Sequence, residues 1–158
     1  MKIFKDCYGN EVKLSFDDHP FSDEPKHVWV ICRYQDRWLL TKHKDRGIEF
    51  PGGKVEDGES AEEAAIREVN EETGGVVSKL FYVGQYFVAG KGGHIVKNIY
   101  FALVNDVSEQ TSYYETDGPV FLFDLPDEIM TNPKYSFMMK DGVLPNSLDY
   151  IHNMTKFH

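Results

Sequence analysis

A chain of 158 residues, 41% hydrophobic and carrying 11 Phe, 9 Tyr and 2 Trp, is the size of one domain and has the side chains for a core, which excludes wholesale disorder. Its formal charge of −9, from 26 acidic and 17 basic residues, argues against a long nucleic acid as partner, because such binding rests on many Lys and Arg neutralising phosphates. A small polyanion stays compatible with it wherever carboxylates hold divalent cations.

Cys7 and Cys32 form no CxxC pair and are too sparse for a disulfide scaffold. No apolar run approaches the ~18 residues of a membrane span, and the first residues, MKIFKD, lack the apolar stretch of a signal peptide. The expectation is a cytoplasmic protein with no membrane partner. The sequence specifies no oligomeric state.

In chain order, residues 3–7 and 11–16 read as a hairpin about Tyr8-Gly9-Asn10, with Val12, Leu14 and Phe16 alternating. Residues 17–25 are polar, contain two prolines and form a loop. HVWVICRY, residues 27–34, is a nearly continuous apolar strand of the kind found at the centre of a sheet. A turn at Gln35-Asp36-Arg37 leads to a second strand over 38–42. Two further strands, 79–89 and 94–104, flank a glycine turn that includes Lys91. A short strand over 120–123 and a helical turn over 125–130, started by Pro126, follow. The tail from Ser147 is helical, with Leu148, Ile151 and Met154–Thr155 on one face. These elements make residues 1–158 one mixed α/β layered domain.

The strongest helix lies between residues 60 and 74. Ser60 and Glu63 fit a capping box, the Ala and Glu residues favour helix, and Gly74 suits a left-handed C-terminal cap. At about 100° per residue, Ala61, Ala65, Ile66 and Val69 share an apolar stripe. Glu68, Glu71 and Glu72 cluster beside it at i,i+3 and i,i+4 spacing, where like charges repel. Arg67 has Glu63 and Glu71 within reach as partners. A hard divalent cation such as Mg2+ or Mn2+ would relieve the carboxylates, since oxygen ligands suit it. Just upstream, Gly52-Gly53 permits a backbone turn that side chains would obstruct, able to aim a carbonyl at such an ion.

The whole segment resembles the Nudix box, Gly-x5-Glu-x7-Arg-Glu-U-x-Glu-Glu-x-Gly-U with U aliphatic. It reads here as Gly53, Glu59, Arg67, Glu68, Val69, Glu71, Glu72 and Gly74, with Gly75 in place of the last aliphatic residue. Seven fixed positions match by chance with a probability on the order of 10⁻⁹ per start, at average residue usage. The resemblance implies a Nudix-type α/β/α sandwich with a mixed β-sheet, to which the N-terminal β-hairpin is an addition. It also implies metal-dependent hydrolysis of a phosphoanhydride. By the same resemblance Glu68, Glu71, Glu72 and the Gly52 carbonyl would hold the metal, Arg67 would orient the carboxylates and Glu59 would support them. Glu68 and Glu115 are the two candidates for the base that takes a proton from the attacking water.

Flanking stretches extend the likeness to a YtkD-type group of bacterial, MutT-like Nudix nucleoside triphosphatases: SFDDHPFSDEPKHVWVICRY, WLLTKHKDRGIEFPGGKVE, VKNIYFA and SFMMKDGVLPNSL. That implies a small nucleotide as substrate, a (deoxy)nucleoside triphosphate cleaved to monophosphate and pyrophosphate, with 8-oxo-dGTP among the candidates. Phe50 would sit near the base or else in the core. Lys42 and His43 would meet the triphosphate, Asn98 would line the pocket, and Asn146 would contact a base edge or cap the last helix. Two alternatives remain, an RNA 5′-pyrophosphohydrolase and a non-catalytic nucleotide-binding module.

Overall fold

In a computed structural model that describes residues 1–90 and 92–155, Val12 and Leu14 turn inward and pin an N-terminal hairpin to the sheet. Its strands β1 (Lys2–Lys5) and β2 (Glu11–Ser15) pair antiparallel. The Asp6 carboxylate accepts from the amides of Tyr8 and Asn10 to close the turn. Lys91 of the expected glycine turn and the side chain of Thr155 lie outside the described residues.

The remaining elements, in order, are β3 (His27–Tyr34), β4 (Arg37–His43), β5 (Gly47–Glu49), β6 (Gly52–Lys54), α1 (Ala61–Thr73), β7 (Gly75–Gly90), β8 (Gly93–Val107), β9 (Thr116–Leu122) and α2 (Val143–Thr155). They form one sheet of order β1-β2-β7-β8-β3-β4-β5, with β6 also on β3 and β9 also on β4. β3 and β8 run parallel, from His27 beside Lys97 to Tyr34 beside Val104. The other strand pairs among the described residues are antiparallel, so the sheet is mixed.

β3 is apolar on both faces because both faces are covered. Val28, Val30 and Cys32 pack with Ala64, Ala65 and Val69 of α1. Trp29 and Ile31 share the opposite core with Val143, Leu144 and Ile151 of α2. One helix on each side of a mixed sheet makes an α/β/α sandwich, as the sequence implied.

Several local readings change. The short strands β5 and β6 were not evident in the sequence, since Gly47, Gly52 and Gly53 carry no alternating pattern and pair through backbone alone. The helical turn expected over 125–130 is a 3₁₀ turn displaced to Ile129–Thr131, and a second 3₁₀ turn follows at Phe137–Met139. α2 begins at Val143, four residues before Ser147, because the Asp141 carboxylate accepts from the Val143 amide and Pro145 tolerates a first-turn position. Ile66 is 44% exposed, leaving Ala64, Ala65 and Val69 as the buried stripe of α1.

Candidate active site

The site grows out of the two ends of α1. At its start the Ser60 hydroxyl accepts from the Glu63 amide at 3.1 Å, while the Glu63 carboxylate accepts from the Ser60 amide at 3.0 Å. Glu63 is thereby committed to the cap, and Arg67 takes other partners than the Glu63 expected from spacing. Its Nε and Nη2 donate to Glu59 at 2.7 and 2.9 Å. Its Nη1 donates to Glu68 at 2.9 Å and Glu71 at 3.2 Å, and Nη2 also reaches the Lys54 carbonyl at 3.0 Å. All five N–H donors of the guanidinium are thus engaged. Arg67 holds the Glu59 carboxyl down at about 2, so Glu59 stays ionised.

The other carboxylates are less comfortable. Glu72 is 8% exposed, and burial together with its hydrogen bond to Glu68 pushes its pKa well above the usual range. Burial raises Glu68 as well. Two buried carboxyls in contact share a proton when no cation separates them. The Gly52 amide donates to Glu72 at 3.3 Å, and a Cβ on Gly53 would collide with the Glu68 carboxylate. The glycine loop is therefore a backbone wall pressed against the carboxylates. Among the described residues no three His, Cys, Asp or Glu side chains already form a metal cage. The donor set is nonetheless all oxygen, anionic and short of positive charge, the chemistry that suits Mg2+ or Mn2+.

The last turn of α1 is tied to the sheet. The Thr116 hydroxyl on β9 donates to the Glu72 backbone carbonyl at 3.1 Å, and the Thr41 hydroxyl on β4 shares its one hydrogen between that carbonyl at 3.0 Å and the Gly118 carbonyl at 2.9 Å. This brings β9, and the neighbouring Glu115, to the edge of a cleft of about 670 Å³ that also holds Gly52, Arg67, Glu68, Glu71 and Glu72. His43 lines the same cleft, its Nε2 3.9 Å from the Glu115 carboxylate.

Cationic side chains line the same cleft. Arg46 forms a two-pronged pair with Glu49, at 2.9 and 3.0 Å, and Glu49 is 2% exposed. Lys97 projects into the cleft from β8, and burial pushes its ammonium down to about 8. Lys54 and His27 also line it, with burial, Lys97 and Lys54 all lowering His27. Arg46, Glu49, Lys54 and His27 escaped the sequence reading. Only the i,i+3 spacing of Arg46 and Glu49 hinted at their pairing.

Four of the expected substrate contacts lie elsewhere. Phe50 is fully buried, edge-on between Trp29 and Trp38 at 6.0 and 6.1 Å, and belongs to the core. Lys42 stands between Thr41 and His43 on β4, so the pleat turns it to the opposite face, where it is exposed. Asn98 points to the α1 face beside a separate cavity lined by His19, Lys26 and Ser60. There it is hydrogen-bonded to Gln85 and Tyr100. Asn146 sits inside α2 and donates to the Gly142 carbonyl at 2.7 Å, so it serves the helix start instead of a base.

A carboxylate-bearing helix after a glycine loop, set over a mixed sheet between two helices, defines a pyrophosphate-cleaving hydrolase. The chain belongs to the Nudix family: the NUDIX domain model matches residues 20–127, and it is a Nudix hydrolase that acts on pyrophosphate bonds. It is 63% identical over 148 residues, 94% of each chain, to the Bacillus subtilis protein named "Putative 8-oxo-dGTP diphosphatase YtkD". A crystal structure of the Bacillus subtilis pyrophosphohydrolase BsRppH superposes with a TM-score of 0.97 at 59% identity, over 98% of both chains. A Nudix hydrolase from Nitrosomonas europaea, 20% identical, shares the fold with a TM-score of 0.65 over 82% of this chain and 90% of its own. Enzymes of this family generally require a divalent metal. Among the described residues no helix is long and apolar enough to cross a membrane.

Proposed function

We propose that residues 1–158 form a single catalytic domain that hydrolyses (deoxy)nucleoside triphosphates, 8-oxo-dGTP among them, to the monophosphate and pyrophosphate. The observation that carries this reading is the cleft itself. Glu68, Glu71 and Glu72 line it together with Arg46, Lys54 and Lys97, so a polyphosphate bridged to the carboxylates by a cation also meets cationic side chains. The name of the YtkD relative supports the choice of an oxidised guanine nucleotide.

In this reading Glu68, Glu71, Glu72 and the Gly52 carbonyl would hold Mg2+ or Mn2+, which would supply charge neutralisation for the phosphates and a more acidic water. Arg67, fixed by Glu59, keeps the carboxylates turned toward the ion. Glu115 is the base. Glu68 is already occupied by Arg67 and Glu72, whereas the Glu115 side chain is 87% exposed at the cleft mouth. The nucleotide pool that such an enzyme meets is cytoplasmic.

A second reading keeps the chemistry and enlarges the substrate to the 5′-triphosphate end of an RNA. The likeness to the pyrophosphohydrolase BsRppH favours it, while a net charge of −9 weighs against long contacts along a nucleic acid. Turnover of dGTP, 8-oxo-dGTP and a 5′-triphosphate RNA, with products identified, separates the two. We expect nucleotide cleavage to monophosphate and pyrophosphate, abolished by a chelator and restored by Mg2+ or Mn2+. Cleavage of the RNA alone sinks the nucleotide reading.

A further inference from the structure

His43 closes β4, and its side chain is only 10% exposed. Its Nδ1 lies 3.1 Å from the Asp45 amide and 3.2 Å from the Arg46 amide, both of which donate to it. A nitrogen that accepts from two backbone N–H groups has its lone pair in use and carries no proton. The ring is consequently neutral, and its single N–H sits on Nε2. The turn at residues 43–46 therefore fixes a tautomer and aims one polar hydrogen into the cleft.

What this hydrogen faces is Glu115, whose Oε2 is 3.9 Å away. The backbone around Glu115 is held by several ties, while its side chain is 87% exposed. The Lys44 amide donates to the Glu115 carbonyl at 3.2 Å, and the Lys44 ammonium to the Tyr114 carbonyl at 3.2 Å. His43 stands opposite Thr116 in the β4–β9 register. Tyr114, immediately before Glu115, has φ of 62°, a left-handed conformation disfavoured for a non-glycine residue. A strained residue followed by an exposed carboxylate at a cleft mouth is the pattern of a chain held so as to present one side chain. At 3.9 Å the pair is beyond a hydrogen bond, so the contact requires the exposed Glu115 side chain to turn toward Nε2.

We infer that His43 is a positioning residue: its Nε2–H donates to the Glu115 carboxylate and turns it toward the attacking water. This rests on the reading of Glu115 as the base. A neutral donor suits the task better than a cation, because it orients the carboxylate without the full charge that would strip its basicity. The two ring nitrogens thus have separable duties, Nδ1 to the turn and Nε2 to the base.

Two substitutions divide those duties. His43→Asn leaves an acceptor near the place of Nδ1 and removes the donor at Nε2; His43→Gln places an amide N–H near Nε2 and gives up the acceptor. With dGTP and Mg2+, or with the 5′-triphosphate RNA if that alone turns over, His43→Asn is expected to lower kcat by about 10- to 100-fold, the scale of a misplaced reacting group. KM should stay within about twofold and Tm nearly unchanged. His43→Gln should recover most of kcat while lowering Tm. In a Glu115→Gln background, His43→Asn should add nothing, since the carboxylate it serves is gone.

The loss of kcat at unchanged KM, and its rescue by His43→Gln despite a lower Tm, are readouts that a merely structural role would not give, and ring ¹⁵N resonances check the tautomer, with Nδ1 unprotonated and Nε2 protonated. The opposite tautomer overturns the proposal. So does a multiplicative loss in the double variant, which would place His43 on the substrate and leave the Glu115 reading standing. Near-normal kcat in Glu115→Gln alone refutes Glu115 as base, and the positioning role falls with it.

Discussion

Two polar networks lie on the α1 side of the sheet, and they are built on opposite terms. In the first, Gln85 and Asn98 are fully buried and neutral. Gln85 Oε1 accepts from the amides of Phe21 and Ser22, and its Nε2 donates to the Ser22 carbonyl and to Asn98. Asn98 Nδ2 donates to the Tyr100 hydroxyl at 2.9 Å and faces His19 Nε2 at 3.2 Å. Each polar atom of the two amides finds a complement, and the result is a pin that holds loop 17–25 on β7 and β8. In the second, Glu72 is buried against Glu68, which shares one guanidinium with Glu59 and Glu71. A satisfied network stabilises and does no chemistry; one left short of positive charge is where a cation and its phosphate belong.

That contrast yields its sharpest break at Glu72. Glu72→Gln should lower kcat by more than about 100-fold, beyond the range usual for residues that merely support a metal ligand. Tm should hold or rise, because a buried carboxylate that resists ionisation has been removed. Turnover near the parent level would refute its role in the site. Asn98→Leu should do the reverse. It strands the Gln85 amide and costs about 1–3 kcal/mol in urea unfolding, with kcat per folded molecule changed only a few-fold. A collapse of kcat at unchanged stability would show the two networks to be one.

The smallest effect belongs to a carboxyl outside both. Burial pushes Asp141 up to about 6 from 3.8. Its folded pKa lies above the unfolded one, so its favourable contribution is full below pH ~4 and fades as pH rises through about 6. Asp141→Asn, which keeps an acceptor for the Val143 amide, should therefore raise stability by roughly 1–3 kcal/mol at pH 7–8 and by little at pH 4. A gain of equal size at both pH values would assign the effect to something other than the charge.

The features legible in the sequence were those whose determinants are local. The capping box at Ser60, the left-handed Gly74 and the carboxylate spacing along α1 are set within a few residues of one another. The readings that moved depended on which face a strand residue takes. Lys97 and Asn98 are neighbours, yet the pleat sends Lys97 to the cleft and Asn98 to the neutral pin. Glu49 and Phe50 divide in the same way, one toward Arg46 and the other into the core between two tryptophans. Only the register of β3 against β8 and of β4 against β5 and β9 decides such pairs. Register is a long-range property that periodicity alone does not carry.

The carbonyl of Glu72 has one more consequence. Carbonyls in the last turn of a helix have no partner within it, and helix ends fray. Here that carbonyl takes the Thr116 hydroxyl from β9 and a share of the Thr41 hydroxyl from β4, which also reaches the Gly118 carbonyl of β9. The end of α1 is thus bolted to the strands on which His43 and Thr116 stand. Amide exchange at Asn70–Thr73 should be as slow as in the middle of the helix, and whatever loosens β9 should loosen the carboxylate wall with it.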